Sequence, residues 1–428
     1  MIWRVQFAEE RKAIALIEPL VAAHPGRREY RSSLSYTYVG LAGTSWSSAN
    51  WPAVIENASK ALPFLEAQYA EDRSASGRLD DLAKPLRQMA EAYAQQGDFA
   101  QAIKIRRRLV GMREQFAALG PSDARRAKSV ADELYFSAPV LWDSGDRQGC
   151  LDSTLQAIAT LDRFPPEKLE TVSLRRDFAT AYGLQIQQLS SIHEIQASVA
   201  ASRKVLPLWE ELYGADPKDE VTREGLSAAH RSIATNLLRL GSFVESREHF
   251  QRCVNLQPRV LPETASAWAG AAYLQERTAI LHTSVGDRGA MELGLRKALE
   301  LNQHACRLAE QAWKASPKAA APLRDLYFCE SAIMQSLRRL GEQAQALEYG
   351  RKAVSLSAAL IAAGDPYIQH DVDSIRPDVV LLAWQLAGEQ ADYTGILDPP
   401  AATPQGIRYY LAHGFRHRGS SLADDGLR

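Results

Sequence analysis

The sequence lacks three features that would restrict where this protein acts. No run of about eighteen apolar residues is present, so no segment of the chain is expected to span a membrane. The N-terminus lacks the apolar stretch and small-residue cleavage site of a signal peptide. The sequence also has no excess of positive or negative charge, because 50 Lys and Arg residues are balanced by 51 Asp and Glu residues. Neither nucleic acid nor an anionic membrane surface is therefore an expected partner.

Cysteine is scarce and scattered. The four cysteines, Cys150, Cys253, Cys306 and Cys329, are far apart and form no C-x-x-C pair. This spacing argues against a zinc site and against a disulfide framework. A reducing compartment, the cytoplasm, is the simplest expected location, with a periplasmic or extracellular one left open if a membrane segment lies upstream.

Catalytic motifs are missing as well. No serine lies in a G-x-S-x-G elbow, and His413 and His417, four residues apart, have no acidic residue in an H-E-x-x-H order. We interpret these two histidines as part of a solvated tail. The other internal histidines are interpreted as isolated surface or packing residues, each in a different repeat: His193, His230, His249, His282 and His304. The sequence therefore predicts no enzyme, no catalytic residue, no cofactor and no metal site.

What the sequence does contain is an internal repeat. Its clearest copy runs from Met89 to Ile103, where an apolar-periodic helix ends at Gly97 and a second helix begins after Asp98. Glycine suits the left-handed turn after a helix, and aspartate suits the first position of the next one. The same turn recurs at Gly145, Gly241, Gly286 and Gly341, with a weaker version at Gly388.

The spacing of these turns gives the period. Successive glycines are 48, 96, 45, 55 and 47 residues apart, so the double gap hides one turn near position 193. There the sequence Leu189–Ile195 has lost its glycine. One period before Gly97 lies Ala49, followed by the capping residue Asn50. A mean period near 48 residues and eight helix pairs are predicted.

Small residues in each unit resemble the frame of tetratricopeptide repeats, in which they let two helices cross closely. One unit places Ala234 and Ser246 at the crossing, Phe250 in the second helix and Pro258 at its end. Equivalent positions in two other units are Ala90, Tyr93, Ala102, Ala346 and Ala353. The resemblance implies a right-handed, all-α solenoid of antiparallel helix pairs over residues 1–398. The departure is the period, since the common repeat has about 34 residues.

Both ends of the predicted solenoid are irregular. Residues 11–25 read as a second helix without its first, which leaves Ile14, Ile17 and Val21 partly open. Either another chain covers them or the natural polypeptide continues upstream, and we favour the second reading. At the other end, residues 399–428 are predicted to be a Pro-rich break and a mobile tail with at most one short helix.

The long period and the spacer Leu212–Pro217 resemble the repeat regions found C-terminal to a membrane segment in many bacterial serine/threonine kinases. The chain itself has no Gly-rich phosphate loop, no H-R-D and no D-F-G motif. The resemblance implies an alternative function, the regulatory or sensor region of a kinase whose catalytic domain is absent from this chain.

Second helices are expected to face outward. The run Arg106 to Arg108, together with Lys104, is therefore interpreted as a solvated face and not as a nucleic-acid site. Cys150 and Cys253 fall on small-residue positions, which predicts that both thiols are buried and unreactive.

First helices line the concave groove of tetratricopeptide solenoids, so the frame predicts which side chains point into it. Aromatic and arginine residues there are the types that dominate protein-binding sites, and arginine could hold a peptide carboxylate. The competing interpretation is that half of them pack between units or face water. The predicted groove residues are Tyr36, Trp46, Arg87, Glu91, Gln95, Tyr135, Trp142, Arg231, Thr235, Arg239, Gln335, Arg338 and Arg339.

The leading functional prediction is a protein-interaction scaffold whose groove binds a peptide or helix of a partner protein. The partner's identity and the oligomeric state stay open at this point.

Overall fold

The computed structural model describes residues 2–258, 260–317, 319–362, 368–394, 396–397 and 402–424. These residues form α-helices and three short 3-10 helices, and no strand occurs among them. The helices are α1 Ile2–Ala23, α2 Arg28–Ser47, α3 Trp51–Glu71, α4 Ser76–Gln95, α5 Phe99–Ala118, α6 Ala124–Asp143, α7 Arg147–Asp162, α8 Val172–Ser191, α9 Ile195–Ala215, α10 Glu220–Arg239, α11 Phe243–Asn255, α12 Ala265–Leu281, α13 Arg288–Ala315, α14 Ala320–Leu340, α15 Gln343–Ala362, α16 Ile368–Ala387 and α17 Pro404–Asp424. The 3-10 helices span Pro166–Lys168, His282–Val285 and Gly388–Gln390.

The turns between paired helices share one hydrogen-bonded form. At Gly97 the backbone N–H donates to the carbonyl of Ala94 at 3.0 Å, and the N–H of Asp98 donates to that of Tyr93 at 2.9 Å. These two bonds satisfy carbonyls that the helix end leaves without partners. The Asp98 carboxylate then accepts from the N–H of Gln101 and caps the next helix.

Two of these turns have no glycine. Ala49 and His193 have φ values of 53° and 68°, in the left-handed region that glycine occupies in the other turns. Their hydrogen bonds match the glycine turns, with Asn50 N–H donating to Ser45 and Glu194 N–H to Leu189. The turns predicted near 49 and 193 are confirmed, and with them the period.

Small residues lie where the two helices of a pair cross. Ala234 and Ser246 are fully buried, and the Ser246 hydroxyl donates to the Ala234 carbonyl at 2.7 Å. Phe250, one helical turn further, is also fully buried. Because neither crossing residue carries a long side chain, the backbones approach closely enough for this bond.

The chain divides into two compact units, Met1–Asp216 and Pro217–Arg428. Each is an all-α solenoid of antiparallel helix pairs of the tetratricopeptide type, as predicted. In the first unit, polar contacts join consecutive second helices at intervals of 42 residues. They are Arg108 to Glu66, Gln156 to Glu114 and Lys204 to Asp162. The regular interval shows that second helices form one layer and first helices the other.

The N-terminal helix is longer than predicted. Helix α1 runs without interruption from Ile2, so the residues before Arg11 extend the same helix. Ile14, Ile17 and Val21 are partly buried against the core that contains Leu34 and Tyr38 of α2. The expectation that these three side chains are partly open is thus met.

The C-terminal segment differs more from the prediction. Residues 398–401, at the boundary between the predicted solenoid and the predicted break, and 425–428 lie outside the described residues, but 404–424 form the long helix α17. Helix α17 packs against α16, because Gly414 lets its backbone approach the Pro377 carbonyl closely. Glycine weakens an isolated helix, but at this position Gly414 serves helix packing. At Gly388 a 3-10 helix begins, where the sequence predicted a tight turn into another helix.

None of the described helices combines the length and apolar character that crossing a bilayer requires.

Candidate protein-binding face

The first helices of the first unit lie side by side and are joined by their own predicted groove residues. The Tyr36 hydroxyl on α2 donates to Asp81 on α4 at 2.7 Å. Arg87 on α4 donates through Nε to Glu133 on α6 at 2.9 Å, and through Nη2 to the same oxygen. We call the solvent-facing side of α2, α4 and α6 the first-helix face.

Glu133 is the centre of a buried charge cluster under this face. Its side chain is fully buried, and besides Arg87 it has Arg113 Nε at 3.5 Å. Arg113 in turn donates to Asp80 at 2.6 Å. A buried carboxylate is stable only when it is paired, so Arg87 has a structural role as the partner of Glu133.

Arg106 contradicts the expectation of a solvated basic run. Only 6% of it is exposed, and it lies between α4 and α6, with Nη2 3.7 Å from Glu91 and its guanidinium over the Phe136 ring. Its Nε and Nη1 atoms have no hydrogen-bond partner among the described residues. Burial lowers the pKa of Arg106, while Glu133 and Glu91 act in the opposite direction. The outward-facing assignment was wrong because helix α5 turns this residue towards the first helices.

Aromatic side chains remain accessible on the first-helix face. Tyr36, Trp46 and Phe136 are 50%, 37% and 44% exposed. The hydrogen bond to Asp81 raises the pKa of Tyr36, which keeps its hydroxyl a donor. Trp46 contacts Trp51 edge to face at 5.8 Å. The sequence frame named Tyr36 and Trp46 but missed Phe136, whose neighbour Tyr135 it chose instead.

The remaining predicted groove residues of this unit contact side chains that are close in the sequence. Tyr135 is half-buried against the Phe136 ring, and Trp142 lies under the guanidinium of Arg147, which is 4.0 Å from its ring centroid. Glu91 accepts from Gln95 at 3.0 Å, and Gln95 is exposed.

In the second unit, three predicted groove residues on α14 also join neighbouring first helices. Arg339 donates to Glu276 of α12 at 2.6 Å. Arg338 is 3.0 Å from Asp378 of α16, and Gln335 donates to the same carboxylate at 2.9 Å. The predicted groove arginines on α10 are more accessible to solvent than those on α14. Arg231 and Arg239 are exposed, and Thr235 is half-buried.

The acidic partners of these residues were missed by the sequence analysis. Glu133, Glu276 and Asp378 are each at most 9% exposed. A usable signal existed, because each is a carboxylate within the apolar pattern of a first helix. Such a residue is rarely buried unless it is paired.

Two histidines expected to be isolated are in contact. His230 of α10 and His249 of α11 belong to one helix pair, and their Nδ1 atoms are 2.9 Å apart. Burial lowers the pKa of His230 to about 4, and His249 and Arg252 act in the same direction. Within the described part of the chain, no group of three or more His, Cys, Asp or Glu side chains is arranged to hold a metal.

The cysteines agree with the prediction. Cys150 and Cys253 are fully buried, and burial raises the pKa of both thiols, that of Cys253 to about 11. Cys306 and Cys329 are buried too, and the four described thiols are free. For Cys150 and Cys253 the raised pKa makes thiolate scarce at neutral pH, so these two thiols are poor nucleophiles.

No protein-family model matches the chain, and no curated protein sequence matches it. Among solved structures, it is similar to aspartyl phosphate phosphatase F from Bacillus subtilis, with 15% identity over 88% of this chain and 84% of that one, and a TM-score of 0.44. The apo form of RapI is 10% identical over 91% and 99%, with a TM-score of 0.42. The apo quorum sensor NprR from B. thuringiensis is 10% identical over 88% and 93%, with a TM-score of 0.40. Similarity at this level assigns no activity or ligand to this chain, whose fold rests on its own helix pairs.

Proposed function

We propose that the protein is a non-catalytic interaction module and that its first-helix face binds an apolar stretch of a partner protein, as a peptide or an amphipathic helix. The observation that carries the proposal is the set of accessible aromatic side chains on that face: Tyr36, Trp46 and Phe136. Large aromatic side chains bury much area at little entropic cost and dominate protein-binding sites.

The buried charge cluster refines the kind of partner. Arg87, Arg106 and Arg113 are matched by Glu91, Glu133 and Asp80, so the cations under the face are already neutralised. A partner that offered a carboxylate would have to compete with Glu133, which is fully buried and held by Arg87. Contact is therefore led by the aromatic side chains, with polar residues such as Gln95 at the margin.

Affinity capture from the native lysate tests this proposal with matched variants. The double variant Trp46→Ala, Phe136→Ala removes two accessible aromatic side chains from the face. The control, Leu119→Ala, Leu155→Ala, removes two exposed apolar side chains that lie at the end of α5 and on α7, in the second-helix layer.

We expect proteins captured by the wild type to be lost from the aromatic variant and kept by the control. Capture of the same proteins by the aromatic variant at wild-type levels would count decisively against this face. Circular dichroism of both variants establishes that the helices are intact.

The alternative, a regulatory region of a bacterial serine/threonine kinase, has the sequence resemblance as its support. A kinase reading frame continuous with this one and upstream of Met1 is the result that this alternative requires.

A further inference from the structure

The second unit contains a cleft that the first-helix face does not include. It lies between the second helices α13 and α15, with α14 as its floor, and has a volume of about 530 Å³. Charged and aromatic side chains line it, among them Arg307, Trp313, Glu330, Tyr349 and Lys352. Its size falls within the range of small-molecule sites in proteins.

Glu330 is the unusual residue of this cleft. Its side chain is half-buried, and its Oε2 atom is buried without any hydrogen-bond partner among the described residues. Burial raises the pKa of Glu330, with Lys352 as the opposing charge. Lys352 itself donates to Glu348, with its Nζ 2.9 Å from the carboxylate, and lies over the Tyr349 ring. A buried carboxylate oxygen in this state can accept a hydrogen bond from a ligand in the cleft.

Arg307 offers the complementary group. Its Nη2 atom is 3.0 Å from Nδ1 of His304, a ring nitrogen and not a carboxylate. Glu310, the other acid of the cleft, is 2.7 Å from Lys314 and so already has a cation. The guanidinium of Arg307 is thus available for a carboxylate, which it can hold with two parallel hydrogen bonds.

We propose that this cleft binds a small zwitterion of amino-acid or dipeptide size, with its ammonium group at Glu330 and its carboxylate at Arg307. In the cleft, the charges of Arg307 and Lys352 balance those of Glu310 and Glu330. A ligand with only one charge would lie near a side chain of like charge, whereas a zwitterion can place each of its charges beside an opposite one. Trp313, Leu326 and Leu356 provide apolar surface for an aliphatic side chain of the ligand. This site is separate from the proposed protein-binding face, and either can fail without the other.

Isothermal titration calorimetry on the full chain tests the proposal. The probes are L-leucine and L-leucyl-L-leucine, which share the zwitterionic chemistry and differ in length. N-acetyl-L-leucine lacks the ammonium charge, and L-leucinamide lacks the carboxylate. The variants are Glu330→Gln and Arg307→Gln. Their matched controls are Glu292→Gln and Arg296→Gln, an exposed ion pair on α13 whose residues do not line the cleft.

We expect one or both zwitterions to bind, and the longer one to bind better if the dipeptide is the natural size. Glu330→Gln and Arg307→Gln should each weaken binding about tenfold or more, because each removes a charged hydrogen bond. The control variants should bind as the wild type does. N-acetyl-L-leucine and L-leucinamide each lack one charge. Their affinity for the wild type should be no higher than the affinity of the zwitterions for Glu330→Gln and Arg307→Gln.

Thermal unfolding separates this role from a structural one. Glu330→Gln removes a half-buried charge whose Oε2 atom has no hydrogen-bond partner among the described residues, so the unfolding midpoint of the variant should equal or exceed that of the wild type. The proposal is wrong if neither zwitterion binds at millimolar concentration, if Glu330→Gln binds them as the wild type does, or if N-acetyl-L-leucine binds equally well. Should Glu330→Gln fail to fold, undiminished binding by Arg307→Gln would overturn it.

Discussion

Ala49 and His193 occupy backbone conformations that glycine occupies in the equivalent turns. Both have positive φ, both are exposed, and both make the same pair of backbone hydrogen bonds as the glycine turns. The left-handed conformation costs an L-residue with a side chain about 1–2 kcal/mol. The helices on either side must therefore hold these turns in place, since the local sequence does not favour them.

Relief of this strain gives a prediction about stability. His193→Gly should raise the free energy of unfolding by about 1 kcal/mol, because glycine adopts the turn conformation without a steric penalty. Urea unfolding followed by circular dichroism measures the change. Gly145→Ala, which places a side chain in the same turn conformation, should lower the free energy of unfolding by a similar amount. A lower free energy of unfolding in His193→Gly, or a higher one in Gly145→Ala, would contradict this account.

His230 makes stability depend on pH. The pKa of His230 is about 4 in the folded protein, against 6.5 for an ordinary histidine, so the unfolded chain takes up the proton first as pH falls. The free energy of unfolding should be constant above about pH 6.5 from this cause, and should fall by on the order of 2–3 kcal/mol towards pH 4. Urea titrations at a series of pH values measure it. His230→Gln should flatten this part of the profile, and a profile with an unchanged slope would exclude His230 as its cause.

At the scale of elements, helix α17 shows how packing can override a local pattern. Its glycines and the Pro-rich segment before it favour a tail when the sequence is considered locally. In the structure a Cβ on Gly414 would lie 2.6 Å from the Pro377 carbonyl oxygen, so the missing side chain is what allows α17 to dock on α16. The helix is stabilised by this contact, which no local sequence pattern contains.

Gly414→Ala should therefore weaken the docking of α17. A methyl group at this point must displace backbone atoms, and overpacking of this kind costs about 1–3 kcal/mol. Hydrogen exchange should show earlier exchange of the amides of α17 and of the adjoining part of α16. The matched control is Gly270→Ala in α12, where a Cβ meets nothing within 4 Å and alanine should be neutral or stabilising. Unchanged protection of α17 in Gly414→Ala would show that the close approach is unimportant.

At the scale of the whole molecule, the main contacts among the described helices of each unit join helices that are next or next but one in the chain. Polar bridges follow the same rule, with Arg87 of α4 joined to Glu133 of α6 and Arg108 of α5 joined to Glu66 of α3. In such a solenoid, stability is approximately the sum of neighbour interactions, so damage stays local.

Glu133→Ala tests this locality. It should lower the free energy of unfolding by about 3–5 kcal/mol, because it leaves Arg87 and Arg113 without their buried carboxylate. Glu66→Ala, which breaks a bridge whose two side chains are each 43% exposed, should cost at most about 1 kcal/mol. Hydrogen exchange in Glu133→Ala should rise first in α4, α5 and α6. A uniform loss of protection from α1 to α9 would contradict the neighbour-by-neighbour account.

The sequence by itself determined the helix pairs, their period and the burial of the small residues, Cys150 and Cys253 among them. These features depend on turn chemistry and helical periodicity, which are local and repeat along the chain. Only the tertiary structure decided which groove residues are accessible and which are paired. Arg87, Arg338 and Arg339 meet acids 40 to 63 residues away, and Arg106 turns inward between helices. These outcomes depend on rotation about helix axes and on distant partners, whose free energies no local window contains.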